Sequence, residues 1–276
     1  MVPYKPFHHH PEAGMATKAG IPTEFESDPP AYVESSFKTS FASISLHRTD
    51  RIRLLQFSPG DIAGIRDVIK QNWISGIQEE RTYARSHEFK CLGNPWSGQG
   101  DEAIAARILM RSILAYLFSA GWILTTSTDV SKSIFDKDTI IFRKQVVPPP
   151  ACEWIAISFN QGDRLRLIGA PMELLANFQA LLKGMGLHQE GIWKDKARNA
   201  FEFKLHGWPW RPQGEEAMTT RLLLLRMLET LEVSGWSLYA TVDQNNGHKN
   251  TSSTGTDSWY CVRAEDWVPG SSVFHR

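Results

Sequence analysis

The chain contains four arginines whose spacing suits the binding of anions. Arg51 and Arg53 are two residues apart, as are Arg164 and Arg166. In a β-strand this spacing places both side chains on one face. Because guanidinium groups bind phosphates and carboxylates through paired hydrogen bonds, the four arginines predict a basic stripe for an anionic lipid, a nucleic-acid phosphate or an acidic peptide. The alternative is the solvated face of an antiparallel sheet.

Two further arginines and two aspartates occupy matching places in the two halves of the chain. Arg107 and Arg221 lie in predicted helices, and Asp129 and Asp243 follow the next predicted strands. One interpretation is a partly buried ion pair in each half. The other is that these four residues supply the polar groups of a cleft between the halves, where a small ligand or a substrate binds.

Proline–tryptophan corners recur at Pro95-Trp96 and Pro209-Trp210. A turn fixed by proline could present the indole ring as a stacking platform for a ligand or a partner. The sequence favours the other interpretation, in which each tryptophan fills the end of a hydrophobic core, because buried aromatic side chains dominate packing.

The N-terminal segment contains the motif Pro-Pro-x-Tyr, formed by Pro29, Pro30 and Tyr32. WW domains bind such segments as a polyproline II helix in an aromatic groove. The motif therefore predicts partners that contain WW domains, such as ubiquitin ligases of that type, and an adaptor or substrate role for the chain.

Other residues give weak grounds for catalysis. Cys91 follows His87 by four residues, but no orienting carboxylate is identifiable and Leu205 replaces the cysteine in the second half. The histidine run at positions 8–10 lacks the spacing of a zinc module. Glycine-rich phosphate loops and common hydrolase motifs are missing from the sequence. No catalytic residue, metal ligand or cofactor is predicted, and the sequence leans away from an enzyme.

These residues are positioned by an internal duplication. Residues 42–55 align without a gap to residues 155–168, and residues 88–129 align to 202–243 with 18 identities in 42 positions. Chance does not produce this level of identity, so the chain contains two related units.

The two copies predict the same elements. A hairpin is followed by a helix that starts at Ser58-Pro59, then a strand, a long helix that ends before Gly121 or Gly235, and two more strands. The predicted fold class is α+β, as a tandem duplication of a ββαβαββ unit with a pseudo-twofold arrangement. The predicted boundaries are a flexible tail at 1–38, repeats at 39–146 and 152–270, a proline linker at 147–151 and a C-terminal tail at 271–276.

Composition limits the class of protein. Thirty basic and thirty acidic residues give zero net charge, which argues against a general nucleic-acid binder. No apolar run is long enough to cross a membrane, and three widely spaced cysteines predict a reducing compartment, the cytoplasm or the nucleus. The sequence favours a soluble intracellular interaction or adaptor protein. The alternatives are a ligand-binding protein or enzyme that uses the inter-repeat cleft, and anion binding by the hairpin arginines. It does not predict an oligomeric state.

Overall fold

The computed structural model describes residues 39–97, 102–128, 136–244 and 257–273. Several sequence features lie outside these ranges. They are the whole segment 1–38, which includes the histidine run and the Pro-Pro-x-Tyr motif (Pro29, Pro30 and Tyr32), together with Asp129 and residues 274–276.

Within the described residues, each half of the chain forms six strands and two α-helices. The first repeat contains β1 (Phe41–His47), β2 (Arg51–Leu55), α1 (Pro59–Asn72), β3 (Ile77–Tyr83), β4 (Ser86–Cys91), α2 (Glu102–Ser119), β5 (Trp122–Thr128) and β6 (Asp136–Lys144). The second contains β7 (Cys152–Asn160), β8 (Arg164–Ile168), α3 (Met172–Gly184), β9 (His188–Asp195), β10 (Ala200–Leu205), α4 (Glu216–Val233), β11 (Ser237–Val242) and β12 (Ser258–Ala264).

Local signals in the sequence explain where the helices begin. Ser58 caps α1, since its side chain accepts a hydrogen bond from the Asp61 amide at 3.1 Å while the Asp61 carboxylate accepts one from the Ser58 amide. This reciprocal pair is a capping box.

No helix in the described part of the chain combines the length and the apolar character that a bilayer crossing requires.

The strands form two antiparallel sheets with the same order. Sheet A runs β3-β4-β2-β1-β6-β5, and sheet B runs β9-β10-β8-β7-β12-β11. The α+β class and the tandem duplication are therefore confirmed. Each repeat has one strand more than predicted, so its order is ββαββαββ. The additional strands, β3 and β9, lie at sheet edges and are exposed along most of their length, so they lack the alternation that marks a half-buried strand.

The two sheets differ in how much of their surface is buried. One face of sheet A packs on α1 and α2, and one face of sheet B packs on α3 and α4. The other face of sheet B packs on the first repeat. Its Ala156, Ile168, Ala200, Val242 and Tyr260 are buried in one cluster with side chains of α2.

The repeats consequently pack head to tail. Helix α2 contacts α1 and β5 of its own repeat, as α4 contacts α3 and β11, but α2 also contacts β7 and β8 of the second repeat. A pseudo-twofold arrangement would bring equivalent surfaces together, but here a helix of the first repeat meets the sheet of the second, which is a heterologous contact. The predicted symmetry is therefore replaced by a stack in one direction. Helix α2 is buried on both sides as a result, and α4 has an open outer side.

Candidate functional site

The hairpin arginines bind buried glutamates within the sheets. Arg51 and Arg53 lie on β2, where Arg53 is opposite Glu88 of β4, and the Arg53 Nε donates to Glu88 Oε2 at 2.6 Å. Arg51 also pairs with Glu88. In the second repeat, Arg166 donates to Glu202 Oε2 through Nη2 at 2.6 Å and Nε at 3.0 Å. Arg164 lies 4.0 Å from the same carboxylate.

These contacts change the electrostatic character of the predicted stripe. Burial alone would raise the pKa of the Glu88 carboxyl, but hydrogen bonds from Arg53, Arg81 and Arg51 outweigh burial and lower its pKa. The carboxylate is therefore charged and offsets the charge of the arginines around it. Both glutamates begin the Glu-Phe-Lys run that the two repeats share, so the alignment contained the signal for this pairing.

The proline–tryptophan corners close the ends of the hairpins. Trp96 is fully buried and its indole nitrogen donates to the Arg51 carbonyl at 3.0 Å. Trp210 donates to the Arg164 carbonyl at 2.8 Å, and Pro95 and Pro209 are buried beside these rings. The exposed tryptophan of this region is Trp208, which the sequence did not single out.

Arg107 and Arg221 have different surroundings. Arg107 is buried between the repeats, where its Nε donates to Ser258 Oγ at 3.1 Å. Burial lowers the pKa of Arg107, while the charge of Asp243 opposes that shift. Arg221 is exposed on α4 and donates to the Ala217 carbonyl of its own helix at 3.0 Å. The structure does not bring these two arginines together.

Asp138, Asp243 and Asp257 lie close enough to influence one another, and Asp243 also acts on Arg107. The Asp243 amide donates to Asp138 Oδ2 at 2.9 Å. Burial, followed by the charges of Asp138 and Asp243, raises the pKa of Asp257. Within the described ranges, no group of three or more His, Cys, Asp or Glu side chains has an arrangement that could hold a metal ion.

Cys91 lies in the hydrophobic core of the first repeat. It is buried, and burial with a smaller effect of Asp50 raises the pKa of its thiol to about 12. A thiol must ionise to act as a nucleophile, so the raised pKa argues against a nucleophilic role for Cys91.

Two surfaces that sequence reasoning missed stand out. The first is the α4 ridge, formed by Met218, Leu222 and Leu225, whose side chains are exposed on the outer side of α4. The second is the junction groove, a cavity of about 640 Å³ between α2 and the second repeat, which includes Arg111 and Gly169. Both involve positions at which the aligned repeats hold different residues, so the residues that the repeats share do not indicate them.

Comparison with known proteins supports the duplication and gives no functional neighbour. One family model of a single domain matches the chain twice, over residues 40–143 and 153–262. These two matches cover most of the chain. No curated protein and no solved structure matches it.

Proposed function

We propose that the chain, which belongs to the family that this domain defines, is a protein-interaction adaptor, because its two copies of the domain expose different surfaces. One attachment is the α4 ridge, and the other is the Pro-Pro-x-Tyr motif at Pro29, Pro30 and Tyr32. The single observation that carries the proposal is that apolar side chains are exposed on α4, whereas the aligned positions of α2 face the second repeat.

The α4 ridge is an apolar surface at a position where the duplicated helix makes a contact. Met218, Leu222 and Leu225 have 66%, 46% and 58% of their surface exposed. Their counterparts on α2 are Ile104, which is buried, and Ile108 and Arg111, which line the junction with the second repeat. Contiguous exposed apolar side chains mark interaction surfaces. The ridge is thus the surface by which this kind of helix binds a neighbouring sheet.

The partner of the ridge is expected to offer an apolar sheet face that includes small residues. Sheet B offers such a face to α2, on which Ala156, Ala200 and Ala240 lie among larger side chains. In sheet A, the aligned positions hold hydroxyl side chains, which interact well with water; they are Ser43, Ser86 and Thr126. A second copy of this chain therefore lacks the matching free face, and we propose a sheet of another protein.

The tail motif supplies the second attachment. Pro29, Pro30 and Tyr32 precede the folded body, which begins at β1. A WW domain would bind the prolines in its aromatic groove. The adaptor would then link a WW-containing protein, such as a ubiquitin ligase of that type, to the protein on the ridge. Cys91 and Cys261 are free thiols in the cores, in agreement with a reducing compartment, the cytoplasm or the nucleus.

The tail is tested with a purified WW domain that recognises Pro-Pro-x-Tyr. We expect saturable binding to the full chain by calorimetry and at least tenfold weaker binding by Tyr32→Ala. Tyr4→Ala, outside the motif in the same segment, serves as the matched control and should bind normally. Equal affinity of wild type and Tyr32→Ala would contradict the motif's role.

The ridge is tested by placing a photoreactive amino acid at Leu222 in cells. The expected product is a crosslink to a second protein, with the attached peptide located in a β-strand of that protein. The same amino acid at Thr219, an exposed position on α4 beside the ridge, is the control. Crosslinks only within or between copies of this chain, or yields no higher at 222 than at 219, would reject the proposed partner.

A further inference from the structure

The junction groove lies where the two repeats meet. It has a volume of about 640 Å³ and is bounded by α2, the start of β7 and the turn that precedes β10. Small-molecule sites in proteins are usually concave and have volumes of about 300–1,000 Å³. The groove has this size, and its walls come from both copies of the domain.

Arg111 is a cation of the groove with little compensation. Its Nη1 donates to the Ile168 carbonyl at 3.3 Å. Within the residues that the structure describes, no carboxylate lies within 4.0 Å of its guanidinium. Burial lowers the pKa of Arg111, which reflects the cost of holding this charge away from water. An oxyanion in the groove would use its remaining N–H groups and offset the charge.

Gly169 provides the space for this guanidinium. A Cβ atom at Gly169 would lie 2.0 Å from the Arg111 Nη1, and the residue has φ of +80°, which disfavours a side chain. The aligned positions hold Leu225 instead of Arg111 and Gln56 instead of Gly169. The fold therefore forms without this pair, which occurs only at the junction between the repeats.

The other groups of the groove suit an organic anion. Trp154 and Ile108 provide apolar surface, and Trp154 is held by edge contacts with Phe118 and Tyr239. Arg198 adds a second cation, which is paired with Asp195 Oδ2 at 3.6 Å, so Arg111 is the less compensated of the two. Glu153, the acidic residue of the lining, is bound by Arg263 Nη2 at 2.7 Å, so its charge is already compensated.

We infer that the junction groove binds a small organic anion whose phosphate or carboxylate group pairs with Arg111 and whose apolar body lies against Trp154 and Ile108. This binding is independent of the proposed adaptor role. The asymmetry of Arg111 and Gly169 between the repeats is the observation on which it depends.

Calorimetry on the full chain tests the site with phenyl phosphate, benzoate and inorganic phosphate as probes. We expect saturable binding of phenyl phosphate or benzoate at millimolar concentration or below, and weaker binding of inorganic phosphate. The tighter of the two organic probes identifies the acidic group. The affinity should fall at least tenfold in Arg111→Leu and less in Arg111→Lys, which keeps the charge but loses the paired donors. Arg226→Leu, on the exposed part of α4, should bind like the wild type.

Thermal unfolding without a probe separates a binding role from a structural one. Leucine is the natural residue at the aligned position 225, so Arg111→Leu should retain or exceed the wild-type Tm. A lowered Tm would indicate that the arginine supports the fold and would overturn the inference. So would normal probe binding by Arg111→Leu, an affinity for inorganic phosphate equal to that for phenyl phosphate, or no saturable binding of any probe.

Discussion

The Nε of Arg107 donates a hydrogen bond to the Oγ of Ser258 at 3.1 Å, which joins α2 of the first repeat to β12 of the second. These two residues are about half the length of the chain apart in sequence. The aligned Arg221 has no equivalent neighbour and bonds to its own helix. Duplicated residues have thus acquired different environments because the repeats pack head to tail.

Arg107→Ala should destabilise the protein far more than Arg221→Ala. Removing Arg107 leaves a cavity between the repeats and takes a partner from Ser258, for which we expect a loss of about 3 kcal/mol in the free energy of unfolding. Arg221→Ala removes an exposed side chain and should change it by less than about 0.5 kcal/mol. Chemical denaturation measures both. Equal losses would contradict the buried and exposed assignments.

Glu88→Gln should reduce the acid sensitivity of the fold. The folded-state pKa of Glu88 is below its ordinary value of 4.5, so the stability that it contributes is present above that pH and is lost as the pH falls through the folded-state pKa. Denaturation midpoints measured from pH 6 down to about pH 3 should fall less steeply for Glu88→Gln than for wild type. Glu229→Gln, which alters an exposed pair with Arg226, is the control and should keep the wild-type profile. Parallel profiles for all three proteins would contradict the role of Glu88.

Trp96→Ala should destabilise the first repeat, and Trp208→Ala should not. Trp96 is fully buried and satisfies the Arg51 carbonyl, so its truncation should cost about 3–5 kcal/mol. Trp208 is 63% exposed, and we expect a change below about 1 kcal/mol. The readout is the unfolding free energy in denaturant. A larger loss for Trp208→Ala than for Trp96→Ala would contradict the buried and exposed assignments of these two tryptophans.

Alkylation of the native protein should modify Cys152 before Cys91 and Cys261. Cys152 is partly exposed, whereas the other two thiols are buried and burial raises the pKa of each. Mass spectrometry after iodoacetamide treatment at pH 8 should find one labelled cysteine in the native protein and three after denaturation. Rapid native labelling of Cys91 would contradict its placement in the core.

Alignment of the two copies predicted much of the fold because each copy tests the other. Ser58 and Pro59 located the start of α1, and the long helices end just before Gly121 and Gly235 as expected. Strands β3 and β9 were missed, since edge strands with exposed charged residues have no apolar period. The pairing of the repeats was also mispredicted. The spacing of apolar residues predicts which side of a helix is apolar, but it does not predict which surface of the protein packs against that side.

The same limit applies to the candidate sites. Shared residues such as Glu88 and Glu202 proved to be internal partners of the arginines, because a feature needed by the fold is kept in both copies. Arg111 and Gly169 differ from Leu225 and Gln56, and their proximity depends on packing between the repeats. Comparison of the copies for differences would have identified these positions, but only coordinates show that they meet.

Head-to-tail packing also affects how such a chain can evolve. A twofold pair closes its interface, so a third domain has no equivalent place to join. Among the residues that the structure describes, the outer side of α4 is exposed at one end of the stack, and sheet A lies at the other end. An added copy could therefore extend the array in either direction after a few substitutions at its contact surface, and each extension would create another junction free to diverge. Family members with longer arrays are an expected product of this geometry.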